Sequence, residues 1–166
     1  MREIIYYDAR LCALSNPKIA QKRQKEVRSY KGVRGVSNQG LISIINEADW
    51  ATLPEDSETL HRLYGKAHED GLLAIALLAV AALDEPDSAL DLAQRWLPFI
   101  NDVETADFLG RLVIGPSSIA AGESVRERME NQDNPYALRA ELLASLASLP
   151  EPVKGVCVAG LRLRFE

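Results

Sequence analysis

Hydrophobic positions recur every three or four residues along almost every segment, with no alternating strand pattern worth defending against them. The pattern therefore predicts helix almost from end to end. Several segments open on a polar residue followed by proline: Asn16-Pro17, Glu85-Pro86 with Asp84 before it, and Asn134-Pro135. Proline at the first helical position gives up no hydrogen bond, and Asn or Asp ahead of it can cap the free amides. Breaks are expected over glycine-rich 31–40, at Leu53-Pro54, at Gly115-Pro116 and over 149–152. The resulting segments span 2–14, 16–30, 37–50, 56–66, 67–83, 86–100, 102–113, 117–131, 134–148 and 150–164. The last of these, PVKGVCVAGLRLRF, carries β-branched residues and two glycines, which favour helix less than the rest.

Short helices joined by short turns suit stacked antiparallel helix pairs. The pairs 67–83/86–100, 102–113/117–131 and 134–148/150–164 repeat every ~33 residues, close to a two-helix repeat. The expected fold is all-α, a single HEAT-like domain over 1–166 forming an α-solenoid; an irregular helical bundle is the alternative. Residues 71–83, GLLAIALLAVAAL, are apolar on every face, which places that helix centrally among neighbours. Its alanines at 74, 76, 79, 81 and 82 permit close helix approach. At thirteen residues the run is shorter than the ~20 a membrane span needs.

Charge changes the picture. The net charge is −5, yet residues 1–40 hold nine Lys or Arg against three acids, so the other 126 residues carry −11. The basic run KIAQKRQKEVRSYKGVR reads either as a solvated amphipathic helix or as a local phosphate-facing patch, which overall acidity does not forbid. Two cysteines, Cys12 and Cys157, are too few for a disulfide framework and lack metal-ligand spacing. They read as reduced thiols, with one long-range bridge left open. The charged start MREIIYYDAR is unlike a secretory signal, so a cytoplasmic location is expected.

Little in the sequence is self-sufficient chemistry. His61 and His68 lie seven residues apart, about 10 Å along a helix, too far to share one ion, and read as ordinary surface or helix-end histidines. There is no HExxH, no Ca²⁺ loop and no G-x-S-x-G elbow. The run KGVRGVSNQG fits neither the P-loop nor the dinucleotide fingerprint; its GxxG, Gly32-Val33-Arg34-Gly35, reads as a flexible turn. No metal and no cofactor are expected. One residue stands out in 101–115, NDVETADFLGRLVIG, where Val103, Ala106, Phe108, Leu109, Leu112 and Val113 recur at helical spacing and are expected to face the core. Asp107 sits among them in mid-helix, where a carboxylate needs a partner. One repeat later Arg139, in NPYALRA, can supply it as a bidentate pair. That pair is either an inter-repeat salt bridge fixing helix register or a polar spot on a concave surface.

These residues resemble the DNA alkylation repair glycosylases of the AlkD type, built from HEAT-like repeats. The resemblance runs from about Asn16 to Leu146: NPKIAQKRQKEVR, Arg34-Gly35-Val36-Ser37 before a helix, LYGKAHEDGLLAIALLAV, the helix carrying Asp107, and NPYALRAELLASL. It implies that Asp107 matches the catalytic aspartate, which stabilises the cationic deoxyribose as the N-glycosidic bond breaks, and that Arg139 lines the same DNA-facing cleft. It further implies excision of N3- or N7-alkylated purines without drawing the base into a pocket. Lys18, Lys22, Arg23, Lys25 and Arg28 would then lie near backbone phosphate.

The chain departs from that family in three ways. Val103 stands where the family has a tryptophan four residues before the aspartate. Asn38, Gln39, Gly40 and Leu41 stand where it has basic residues. The sequence ends at Glu166, ahead of the family's later repeats, and neither Trp50 nor Trp96 supplies the missing aromatics. A shortened member is expected, with loss of the aromatic cleft counting against catalysis. The partner is then duplex DNA, or, on a second reading, another protein held by a non-enzymatic helical-repeat adaptor. No membrane partner is expected.

Overall fold

The computed structural model describes residues 2–27, 31–47, 57–122, 125 and 133–147. It is all-α over these residues. Helices α1 (Arg2–Leu14), α2 (Pro17–Val27), α3 (Asn38–Glu47), α4 (Ser57–Tyr64), α5 (His68–Ala81) and α6 (Pro86–Trp96) are followed by a 3₁₀ turn at Leu97–Phe99. Then come α7 (Val103–Phe108), a π-helical segment (Leu109–Ile114), α8 (Gly115–Ala121) and α9 (Pro135–Ala147). The segment expected over 150–164, with Cys157, and residue Trp50 lie outside the described residues.

Two of the three polar-proline starts are capped by their side chain. The Asn16 amide oxygen accepts from the N–H of Lys18 at 3.0 Å, and that of Asn134 accepts from Tyr136 at 2.9 Å. Asn134 also donates to the Ile100 carbonyl at 2.7 Å, tying the start of α9 to the chain before α7. Glu85 precedes Pro86 without a side-chain cap.

As its composition predicts, α5 is central. It packs against α3, α4, α6, α7 and the π-helical segment, with Leu72, Leu73, Ile75 and Leu77 fully buried. Beside it Trp96, also fully buried, stacks on Tyr64 with ring centroids 4.4 Å apart and donates to His61 Nδ1 at 3.0 Å. Trp96 is a core residue.

The break expected at Gly115-Pro116 is absent. The backbone stays in the right-handed helical region through Ile114 and Gly115, so α7, the π-helical segment and α8 form one continuous rod, Val103 to Ala121. Proline lacks an N–H to give to the turn before it, and a widened i→i+5 turn accommodates that gap without stopping the helix. The rod ends at Gly122, in the left-handed conformation at φ 70°.

The GxxG stretch is pinned rather than flexible. Gly32 accepts from His68 N–H at 2.9 Å. The N–H groups of Arg34 and Gly35 each donate at 2.9 Å to a different oxygen of the buried Glu69 carboxylate. Arg34 clamps buried Asp70 with Nε at 2.6 Å and Nη2 at 2.8 Å, and reaches Asp8 at 2.5 Å. Gly35 has φ +77°, and a β-carbon there would lie 2.2 Å from the Asn16 carbonyl oxygen. The start of α5 thus holds this strap, and the strap abuts the start of α2.

Candidate functional site

The rod has two faces. Thr105, Ala106, Leu109 and Val113 are buried, while Val103 and Leu112 are 50% and 42% exposed and Phe108 is half-buried. The expectation that all six apolar positions of this helix face the core holds for Ala106, Leu109 and Val113, and in part for Phe108, which packs against the core while also lining the cleft. Val103 and Leu112 line a cleft of about 1110 Å³, together with Phe108, Asp107 and Arg111. Helical spacing alone does not separate a stripe against the core from one beside it that walls a groove.

Helix α2 also lines the cleft, contributing Ile19, Lys22, Arg23 and Lys25, and Tyr136 of α9 adds to the lining. No residue of α2 is buried. Of the basic residues singled out from the sequence, Lys22, Arg23 and Lys25 reach this cleft and Lys18 does not. Arg28 lies outside the described residues.

Asp107 and Arg139 meet. Arg139 Nε lies 2.5 Å from Asp107 Oδ1 and Nη2 3.1 Å from Oδ2, a two-point contact between the rod and α9. The side chains are 25% and 22% exposed, and of the two Asp107 lines the cleft while Arg139 does not. The carboxylate beside it raises the guanidinium's proton affinity above the usual arginine range. The approach is permitted by Gly110, one turn on from Asp107: a β-carbon there would fall 2.4 Å from the Ala140 carbonyl oxygen.

Under the cleft lies a network that helical spacing did not reveal. His68, at the first position of α5, is fully buried, not a surface histidine. Its Nε2 is 2.9 Å from Glu104 Oε2, and its Nδ1 faces Asp102 Oδ2 at 3.6 Å, an ion-pair contact longer than a hydrogen bond. Burial opposes the imidazolium, but the two carboxylates outweigh it and raise the pKa to about 9. Glu104 is held below the usual range first by His68 and then by Arg23, against its own desolvation. Desolvation likewise opposes ionisation of Asp102, yet His68 and Thr105 hold its pKa down. Asp102 caps α7, accepting from Thr105 N–H at 2.8 Å and Thr105 Oγ1 at 2.7 Å.

Arg23 closes the network from α2. Its Nη2 lies 2.8 and 2.9 Å from the two Glu104 oxygens, and Nη1 donates to the Val36 carbonyl at 3.1 Å. This side chain therefore ties α2 to α7 rather than extending toward solvent. The only sequence signal for the network was the acidic start of α7 in NDVET, an ordinary capping pattern.

Among the described residues no cluster of His, Cys, Asp or Glu has the makings of a metal site, and no helix is long and apolar enough to cross a membrane. The model of one protein family, described as DNA alkylation repair enzyme, matches residues 7–148. Comparison with curated proteins and with solved structures found no significant match.

Proposed function

The chain belongs to the DNA alkylation repair enzyme family, and from that premise we propose that the cleft between α2 and the rod receives duplex DNA with Asp107 against a deoxyribose. The observation that carries this reading is the Asp107 carboxylate, fixed at two points by Arg139 yet one-quarter exposed to a groove also lined by a basic helix. A fixed carboxylate in a partly dry groove favours cationic charge developing near it. When the bond from C1′ to an N3- or N7-alkylated purine breaks, the electron pair leaves with the base and positive charge gathers on the sugar. Asp107 stabilises that charge, water adds at C1′, and an abasic site remains.

Arg139 acts by holding the Asp107 carboxylate aimed. Lys22 and Lys25 contact backbone phosphate, with Lys18 on the same helix outside the cleft, while Arg23 holds the wall that carries them. Val103, Phe108 and Leu112 give the groove an apolar lining beside the carboxylate, where the family's aromatic residue is missing. The stack of helices serves as a HEAT-like scaffold.

The test is anisotropy of a labelled duplex carrying an abasic-site analogue at about 50 and 200 mM salt, followed by an excision assay on N7-alkylated guanine. Binding that weakens steeply with salt, and excision that Asp107→Asn abolishes, support the reading. Absence of binding at low salt overturns it and leaves a protein-binding adaptor in its place.

A further inference from the structure

The four carboxylates that line the cleft are each met by a cation: Asp107 by Arg139, Glu104 by Arg23 and His68, Asp102 by His68, and Glu26 by Lys22 at 3.8 Å. Two lining cations are left over, Lys25 on α2 and Arg111 on the π-helical segment. Both are exposed, and neither has an ion pair or side-chain hydrogen bond among the described residues. They stand on different elements lining the groove, and once Arg139 and His68 are counted with the lining acids they meet, the charge left unpaired is positive.

The pairing of Asp107 accounts for Arg111. In a regular α-helix an aspartate four residues ahead of an arginine pairs with it. Here the winding changes to π at Leu109, between Asp107 and Arg111, and Asp107 is taken by Arg139. With Asp107 engaged by Arg139, Arg111 is left unneutralised beside the same groove. It stays about one turn from Asp107, about 5 Å along the axis, a separation close to that between a sugar and the phosphate next to it. A guanidinium suits such a phosphate because its forked donors match two oxygens at once.

We propose that Arg111, with Lys25 of α2, binds the phosphodiester flanking the nucleotide whose sugar faces Asp107. The inference rests on the reading of the cleft as a DNA site. It assigns a binding role to Arg111, which the basic run in α2 did not suggest.

The test measures anisotropy of a duplex carrying a tetrahydrofuran abasic analogue, with either the 5′ or the 3′ flanking phosphate replaced by an uncharged methylphosphonate. Wild type, Arg111→Gln and Lys25→Gln are compared, with matched thermal unfolding as the check on folding. For one of the two positions, neutralising the phosphate is expected to weaken wild-type binding about tenfold and to leave Arg111→Gln nearly unaffected. Arg111→Gln is also expected to lower the slope of log affinity against log salt by about 0.9. If wild type binds but neither flanking phosphate matters, or if both proteins lose equally, the assignment fails while the DNA reading stands. If wild type does not bind the unmodified duplex at low salt, both fail.

Discussion

Gly110 and Ala140 touch backbone to backbone: a β-carbon built on Gly110 would lie 2.4 Å from the Ala140 carbonyl oxygen and 3.0 Å from its α-carbon. One residue before Ala140 and one turn before Gly110 stand Arg139 and Asp107, bonded at two points. The close approach of the rod to α9 is what brings that pair within reach.

Gly110→Ala therefore separates the helices, because the obstructing atoms belong to a backbone that cannot rotate aside. The expected loss is about 2–3 kcal/mol in chemical denaturation. Any excision activity should fall with it, since Arg139 would no longer meet Asp107. Retention of full stability would show that α9 moves away at little cost.

Asp107→Asn is expected to abolish excision while changing stability by about 1 kcal/mol or less, because both partners are partly exposed. Calorimetric unfolding alongside the excision assay checks this. A loss several times larger would make the carboxylate a structural element first.

His68 predicts a pH dependence. Its pKa is raised to about 9 from 6.5, so the stability it contributes is complete below about pH 6.5 and is lost as pH rises through about 9. Lys31 acts in the opposite sense. Burial, set against Asp102 and Asp70, lowers its pKa to about 8 from 10.5, so its contribution to stability rises between those values. The interval from pH 6.5 to 7.5 belongs almost wholly to His68, and stability there should fall by about 1 kcal/mol. Thermal denaturation of wild type and His68→Gln across that interval provides the check; the variant's curve should be flat.

Glu69→Gln changes almost no volume but leaves one carbonyl oxygen where two acceptors are needed. Arg34 N–H and Gly35 N–H bond to different carboxylate oxygens, so one would face an amide NH₂. The expected cost is about 2–3 kcal/mol, with faster amide exchange at Arg34 and Gly35 by hydrogen–deuterium exchange. Unchanged exchange would mean the strap is held by Arg34 and Asp70 alone.

Much of this architecture was legible in the one-dimensional pattern. The 3.6-residue period specified an all-α chain, the uniformly apolar 71–83 run specified a central helix, and Asn16 and Asn134 before proline marked helix starts that their side chains do cap. These are local properties, set by propensity and capping within a few residues. An acid isolated in an apolar helix drew attention to Asp107, and its need for a partner pointed to Arg139.

Tertiary packing decided the rest. Val103 and Leu112 follow the same helical period as Leu109, yet they wall a groove, because only the positions of neighbouring helices determine which stripe is covered. Pro116 punctuates the sequence but not the rod, since a π turn absorbs its missing donor. His68 read as an ordinary surface or helix-end histidine; it does start a helix, but Asp102 and Glu104 converge on it, buried, from 34 and 36 residues away, which no local period encodes. Sequence by itself determined which segments are helical and which charge stands out among them. The fold determined which charges meet, because ion pairing depends on distances of a few ångströms between segments far apart along the chain.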